Sequence, residues 1–241
     1  MEEQKNKISI SSIIIVVVFL VVLIGLIATF KKSPVPQNLN ENSNQLTILT
    51  PKQLPEAYKN DHYFGNGDES VVIVEYSDTE CPFCKRFQGT MQEVMKNYSG
   101  RVAWVYRHVP LDSLHTKARK EAEATECAAE LGGNEIFWKY LDAIFTITPS
   151  NDGLDLAELP KIAVDLGLNK VDFEECLASG KYAEKVEADA QLAVKAGAKG
   201  APYSVIIKKD GTQTIVNGAY YYDLPDQPTL SLKTMIEAAL K

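Results

Sequence analysis

The first hydrophobic signal along the chain has no period. From Ile8 to Phe30 no residue is charged, and Ile13–Phe30 is almost wholly apolar. As a helix, 8–30 would span about 34 Å, against about 30 Å for a bilayer's hydrocarbon core. A stretch that is apolar all round and ends in Lys31-Lys32 predicts a transmembrane helix rather than a buried core helix. Its apolar run exceeds that of a cleaved signal, and the exit Ile27-Ala28-Thr29-Phe30 lacks the small-x-small cleavage pattern, so the expectation is an uncleaved signal anchor. Lys5, Lys7 and the amino terminus oppose Lys31 and Lys32, which leaves the positive-inside count nearly tied. Residues 31–56 follow with Pro34, Pro36, Pro51 and Pro55 among Asn, Gln and Ser and little apolar periodicity, the composition of a flexible linker reaching on the order of 30 Å.

From residue 57 the pattern changes to alternating strands and helices. Gly65-Asn66-Gly67-Asp68 is turn chemistry with no helix after it, which argues against a phosphate loop. The unbroken run Val71-Val72-Ile73-Val74 then predicts a strand buried on both faces of an α/β sheet. A helix is expected from Pro82 to about Lys96, and a second strand over Val102–His108. Tyr203–Lys208 and Gln213–Asn217 flank Asp210-Gly211 and predict an antiparallel hairpin, followed by a last helix at about 229–240. Between them, about 112–198 keeps helical spacing: Ile136, Phe137, Tyr140, Leu141, Ile144 and Phe145 share one face, and Leu156, Leu159, Ile162, Ala163 and Leu166 another. This is a helical insert in a small α/β unit. No repeat interrupts it.

Charge narrows the partners. The chain of 241 residues carries 25 basic and 32 acidic residues, net −7. Residues 1–32 hold four Lys and two Glu, so the remainder carries −9, and an acidic body argues against nucleic acid. Four cysteines are too few to staple a scaffold of this size, so each needs its own reason.

Two of them form Cys81-Pro82-Phe83-Cys84, directly after a buried strand and at the start of a helix. The first sulfur then lies near the free amides and positive dipole end of that helix, where a thiolate is stabilised. Pro82 suits the first helical turn, and the spacing allows a disulfide. Cys81 is expected to be the exposed, attacking sulfur and Cys84 the more buried resolving one. Half of a zinc site would need two further ligands, and Cys127 and Cys176 stand alone without partners at zinc spacing. His62, His108 and His115 share no ligand spacing and are expected at caps or on the surface. No metal and no cofactor beyond the Cys81–Cys84 disulfide is expected. Asn97-Tyr98-Ser99 matches the glycosylation triplet, but Gly100 beside it suggests a helix end instead.

Over about 60–241 the sequence resembles the DsbA-like branch of the thioredoxin-fold proteins. The likeness is carried by Val74-Glu75-Tyr76-Ser77-Asp78-Thr79-Glu80-Cys81-Pro82-Phe83-Cys84, by Glu126-Cys127-Ala128-Ala129 and Phe137-Trp138 in the insert, and by Gly200-Ala201-Pro202 before the hairpin. The resemblance implies an α/β thioredoxin-like fold with an all-helical insert, and thiol–disulfide exchange outside the cytoplasm. It breaks the orientation tie: 1–7 cytoplasmic, 8–30 in the cell membrane as a single pass, and 57–241 extracytoplasmic. The implied partners are unfolded or disulfide-containing extracytoplasmic proteins and a membrane redox partner, with the lipid bilayer at 8–30. It also implies a cis bond at Pro202 facing the disulfide, and a surface of Ala201, Pro202 and Phe83 that meets substrate. Glu75, six before Cys81, matches a buried acid that takes up the resolving cysteine's proton, though a strand-end carboxylate in water is the alternative reading. Phe83 departs from the His of the strongest oxidants in that family and implies a less oxidising disulfide. In an oxidising compartment, Cys127 and Cys176, 49 positions apart in the insert, are expected to pair, against two free buried thiols. Two other directions stay open: a reductase or isomerase of the same fold, and a non-catalytic ectodomain that holds a partner or copper ion.

Overall fold

In the computed structural model, Tyr58 and residues 60–241 are described. The expected anchor at 8–30 and linker at 31–56 lie outside the described residues, among which no helix is long and apolar enough to cross a membrane. Five strands form one mixed sheet: β1 (His62–Phe64), β2 (Val71–Ser77), β3 (Val102–His108), β4 (Tyr203–Lys208) and β5 (Gln213–Asn217), in the order β1-β3-β2-β4-β5. β2 is parallel to β3 and antiparallel to β4, and β1 and β5 are antiparallel edges. Every residue of β2 is buried, as its unbroken apolar run requires.

Alternation along β2 sorts the two faces. Val71 and Ile73 pack with Phe87, Met91 and Val94 of α1 (Pro82–Asn97), with Phe137, Trp138, Leu141 and Phe145 of α2 (Ala118–Ile147), and with Leu232 and Ile236 of α6 (Leu232–Ala239). Val72, Val74 and Tyr76 face the opposite layer, where α5 (Ala183–Lys195) contributes Ala193. The insert has its own core: Tyr140 and Ile144 of α2 meet Leu159, Ile162 and Ala163 of α3 (Leu159–Asp165) and Phe173 of α4 (Lys170–Ser179). Cys127 and Cys176 lie in that core, joined by a disulfide with their Cα atoms 5.9 Å apart.

Three features depart from the expected pattern. β1 was not foreseen, because three residues are too few to show alternation; its register on β3 supplies what its sequence does not. The first insert helix is broken at Gly133, where φ of 79° is open only to glycine at low cost, so Ala118–Ile147 runs as two segments and the apolar face Ile136–Phe145 belongs to the second. The last helix begins at Leu232, because Pro228–Leu230 forms a short 3-10 turn and the Ser231 hydroxyl caps the Thr234 amide at 3.4 Å.

Candidate active site

The site forms at the carboxyl ends of the parallel pair β2 and β3. Ser77 ends β2, and its carbonyl accepts the Val109 amide at 2.8 Å, so the chain leaves the sheet here under fixed geometry. Cys81 is the N-cap of α1 with extended backbone, Pro82 follows in the first turn, and the Lys85 amide donates to the Cys81 carbonyl at 3.0 Å. No side chain caps this helix end, which leaves its amides directed at the Cys81 sulfur.

Both cysteines are free thiols. Cys84 is fully buried, and Cys81 is only 4 % exposed, far less than the exposed position expected for it. The cover comes from the loop before β4, where Ala201-Pro202 is cis and the Ala201 carbonyl oxygen lies 3.5 Å from Cys81 Sγ. Phe83 stands 60 % exposed beside them. The structure thus brings Cys81, Cys84, Phe83, Ala201 and Pro202 together from two ends of the domain.

Electrostatics separates the two sulfurs. The Cys84 thiol hydrogen-bonds toward Cys81, and with the amides of Cys84 and Phe83 it outweighs burial and the Asp78 charge, bringing the Cys81 thiol down to about 6. Cys84 is pushed well up, first by burial and then by the bond to Cys81 and its charge. One sulfur is a thiolate near neutral pH and the other keeps its proton.

Glu75 is on the same face of β2 as Ile73, the side that packs on α1, and is fully buried. Neither carboxylate oxygen has a hydrogen-bond partner of normal geometry. Burial pushes its pKa up to about 7, against the pull of the polar groups of Ser77 and Trp104. Water does not reach this strand end.

Several residues beside the sulfurs were not singled out by sequence reasoning. The Asp78 amide donates to Cys84 Sγ at 3.4 Å, and its carbonyl accepts the Cys81 amide at 3.2 Å. Its carboxylate accepts from Glu80 N at 2.8 Å and Leu111 N at 2.7 Å, and pairs with His115 Nδ1 at 3.0 Å. The Glu80 carboxylate accepts from Thr148 Oγ1 at 3.2 Å and from the amides of Gly153 and Leu154 at 3.1 Å each. Ser150, Asn151 and Asp152, all at positive φ, wrap the loop after α2 around that carboxylate. Glu121, buried without a hydrogen-bond donor, is raised to about 9 by its burial and by Glu80. The available signal is two acids, Asp78 and Glu80, within three residues of the first cysteine, in the short segment between the end of β2 and α1.

The expectation for the histidines is overturned. His62, His108 and His115 are all buried, and each pairs with a carboxylate: His62 Nε2 and His108 Nε2 both at 3.0 Å from Glu126, and His115 with Asp78. An imidazole can be taken inside when a carboxylate or hydroxyl satisfies its nitrogens, and spacing along the chain is blind to that. His108, Glu126 and Asp189 bring potential ligand atoms within 4.8 Å of one another. Lys185 Nζ, 3.1 Å from Asp189 and 3.4 Å from Glu126, already provides a cation there.

A family model described as Thioredoxin matches residues 57–216. The chain belongs to the thioredoxin family. Among solved structures it is similar to DsbA2 of Pseudomonas aeruginosa, with 26 % identity and a TM-score of 0.59, covering 75 % of this chain and 92 % of that one. Oxidised BdbD from Bacillus subtilis shares the fold at 22 % identity and a TM-score of 0.62, covering 76 % and 94 %. These neighbours agree with the resemblance to DsbA proteins read from the motifs. Curated relatives include Na(+)/H(+) antiporter NhaA 3 of Salinispora tropica, 34 % identical over 142 residues, which is 59 % of this chain and 21 % of that protein. NhaA 1 of Mycolicibacterium gilvum is 34 % identical over 133 residues, 54 % of this chain and 21 % of that protein. The chain spans about a fifth of the length of these relatives, so the likeness is to one portion of them.

Proposed function

We propose that the protein is a thiol–disulfide oxidoreductase working through Cys81 and Cys84, tethered to the outer face of the cell membrane by residues 8–30. The observation that carries this reading is the split between the sulfurs: Cys81, at about 6, at the open end of α1, beside a buried partner whose thiol is held protonated. A low thiol pKa at the attacked position stabilises the reduced enzyme and so favours disulfide donation. In that direction a substrate thiolate attacks Cys81 Sγ, the Cys81–Cys84 bond breaks, and Cys84 leaves and takes a proton. A second substrate thiol, losing its proton, attacks the substrate sulfur of the mixed disulfide and expels Cys81 as thiolate. Two electrons have passed from the substrate dithiol to the enzyme, and a membrane redox partner removes them.

In this reading Glu75, buried on the face of β2 that packs on α1, exchanges the Cys84 proton. The peptide of Ala201, next to the thiol, is the edge against which an extended substrate segment pairs, with Phe83 and Pro202 flanking it. Substrates are unfolded or disulfide-containing extracytoplasmic proteins.

The oxidising direction is tested by equilibrating the domain with glutathione. A potential clearly above the thioredoxin value of about −270 mV, yet below that of DsbA at about −120 mV, is the expected result. A value near thioredoxin's would reassign the protein to reduction or isomerisation. Cys84→Ala should accumulate a mixed disulfide through Cys81 with its substrates. A parent protein that transfers no disulfide to a reduced test protein would leave only the binding role.

A further inference from the structure

Exchange accounts for the sulfurs, the cis-proline loop and Glu75, but not for the buried pair Asp78 and His115. Asp78 contacts both cysteines through its backbone, and its carboxylate is locked by two amides at 2.7 and 2.8 Å. A negative charge there opposes a second one on Cys81. His115 reaches it from the loop between β3 and α2, is 5 % exposed, and places Nδ1 3.0 Å from Asp78 Oδ2. The position inside the motif that could supply a positive charge is Phe83 instead.

Resting on the thiol–disulfide reading above, we propose that His115 is a positioning residue for that chemistry: seated on Asp78, its imidazolium offsets the carboxylate beside the cysteine pair and sets how readily Cys81 holds a negative charge. Burial works against the charged form of His115, but the hydrogen bond and charge of Asp78 outweigh it, with Cys81 and Asp152 adding to them, so the imidazole holds its proton to higher pH than a free one. The other titratable groups facing this place do not supply the missing charge. Glu80 and Asp152 are acids, engaged respectively by the loop amides after α2 and by Thr116 and Lys117. Glu121, Cys84 and Tyr106 are held neutral near pH 7 by burial and neighbouring charge. Lys117 Nζ is bound to the carbonyls of Asp152 and Leu154 at 2.7 Å.

The pairing makes a charge argument that distinguishes it from a packing role. His115→Gln leaves an amide donor for Asp78 but removes the cation, so the pair goes from neutral to −1. The midpoint at which Cys81 becomes a thiolate, followed by ultraviolet absorbance of the reduced protein, should rise by about one pH unit, and its disulfide should become less oxidising. Adding Asp78→Asn restores a neutral pair, and the double variant should titrate near the parent. A folded His115→Gln protein with an unmoved midpoint, or a double variant that keeps the full shift, would overturn the inference. The parent offers a second measurement free of any substitution. The His115 imidazole, followed by NMR, should titrate at higher pH in the reduced protein, where the Cys81 thiolate faces it, than in the oxidised one; identical midpoints would also overturn it. A parent that shows neither disulfide transfer nor a thiolate titrating near neutrality removes the underlying reading as well, whereas an active parent indifferent to both tests removes this inference alone.

Discussion

At the scale of one residue, Glu75 has the most definite consequences. It is the sole carboxylate in β2, is fully buried without a partner, and shares the buried face on which Tyr106 feels the charge of both Glu75 and Cys84. Cys84 must gain a proton when it leaves and lose one when it attacks, and a group raised to about 7 can do either near neutral pH. Glu75→Gln should therefore slow the step in which Cys84 leaves or attacks by about 10²-fold and leave the midpoint of Cys81 ionisation nearly unmoved. Single-turnover kinetics separate the two, and an unchanged Cys84 step would remove the proton-exchange role. Stability gives an independent reading. The native group titrates at about 7 and its unfolded counterpart at about 4.3, so unfolding releases a proton between those limits. Stability then falls as pH rises through that window and levels off above it, by about 4 kcal/mol. The glutamine variant lacks this loss, and its melting temperature should exceed the parent's at pH 8 and converge with it at pH 4.

At the scale of elements, the disulfide ties the first segment of α2 to α4 inside a core that does not touch the catalytic sulfurs. Replacing Cys127 and Cys176 by alanine opens a 49-residue loop and should destabilise the domain by up to about 4 kcal/mol in chemical denaturation. Thiolate titration at Cys81 should be unmoved in that variant; a shift would mean that the insert core transmits strain to α1. Much of this architecture was legible in the sequence. β2, β3, the hairpin and α1 have runs, periods or breakers of their own, and Pro82 marks the start of α1. The site cysteines and Pro202 were legible because a motif and a family resemblance carry them. The buried acid–histidine pairs were not. His62 meets Glu126 across 64 positions, His108 across 18 and His115 meets Asp78 across 37, so no local pattern encodes them. The Gly133 break escaped because both halves of α2 keep helical periodicity and only the change of direction separates them.

At the scale of the whole molecule, the sulfur chemistry and the apolar amino-terminal stretch constrain each other. A Cys81–Cys84 disulfide that donates to substrates persists only where glutathione and thioredoxin do not reduce it, which is the far side of the membrane from the cytoplasm. Lys5 and Lys7 against Lys31 and Lys32 leave orientation open, so the proposed disulfide donation is what would require residues 1–7 inside and the domain outside. Two measurements follow on the full chain in its native membranes. An uncharged stretch long enough to span as a helix should keep the protein in the membrane fraction through an alkaline wash that strips peripheral proteins. After mild reduction, a membrane-impermeant maleimide applied to intact protoplasts or spheroplasts should label Cys81, whose thiolate forms near pH 6 and reacts ahead of the protonated Cys84. Labelling only after the membrane is permeabilised would put the site in the cytoplasm. The reading of the domain as a disulfide donor fails there, because the cytoplasmic reductants would hold both thiols reduced.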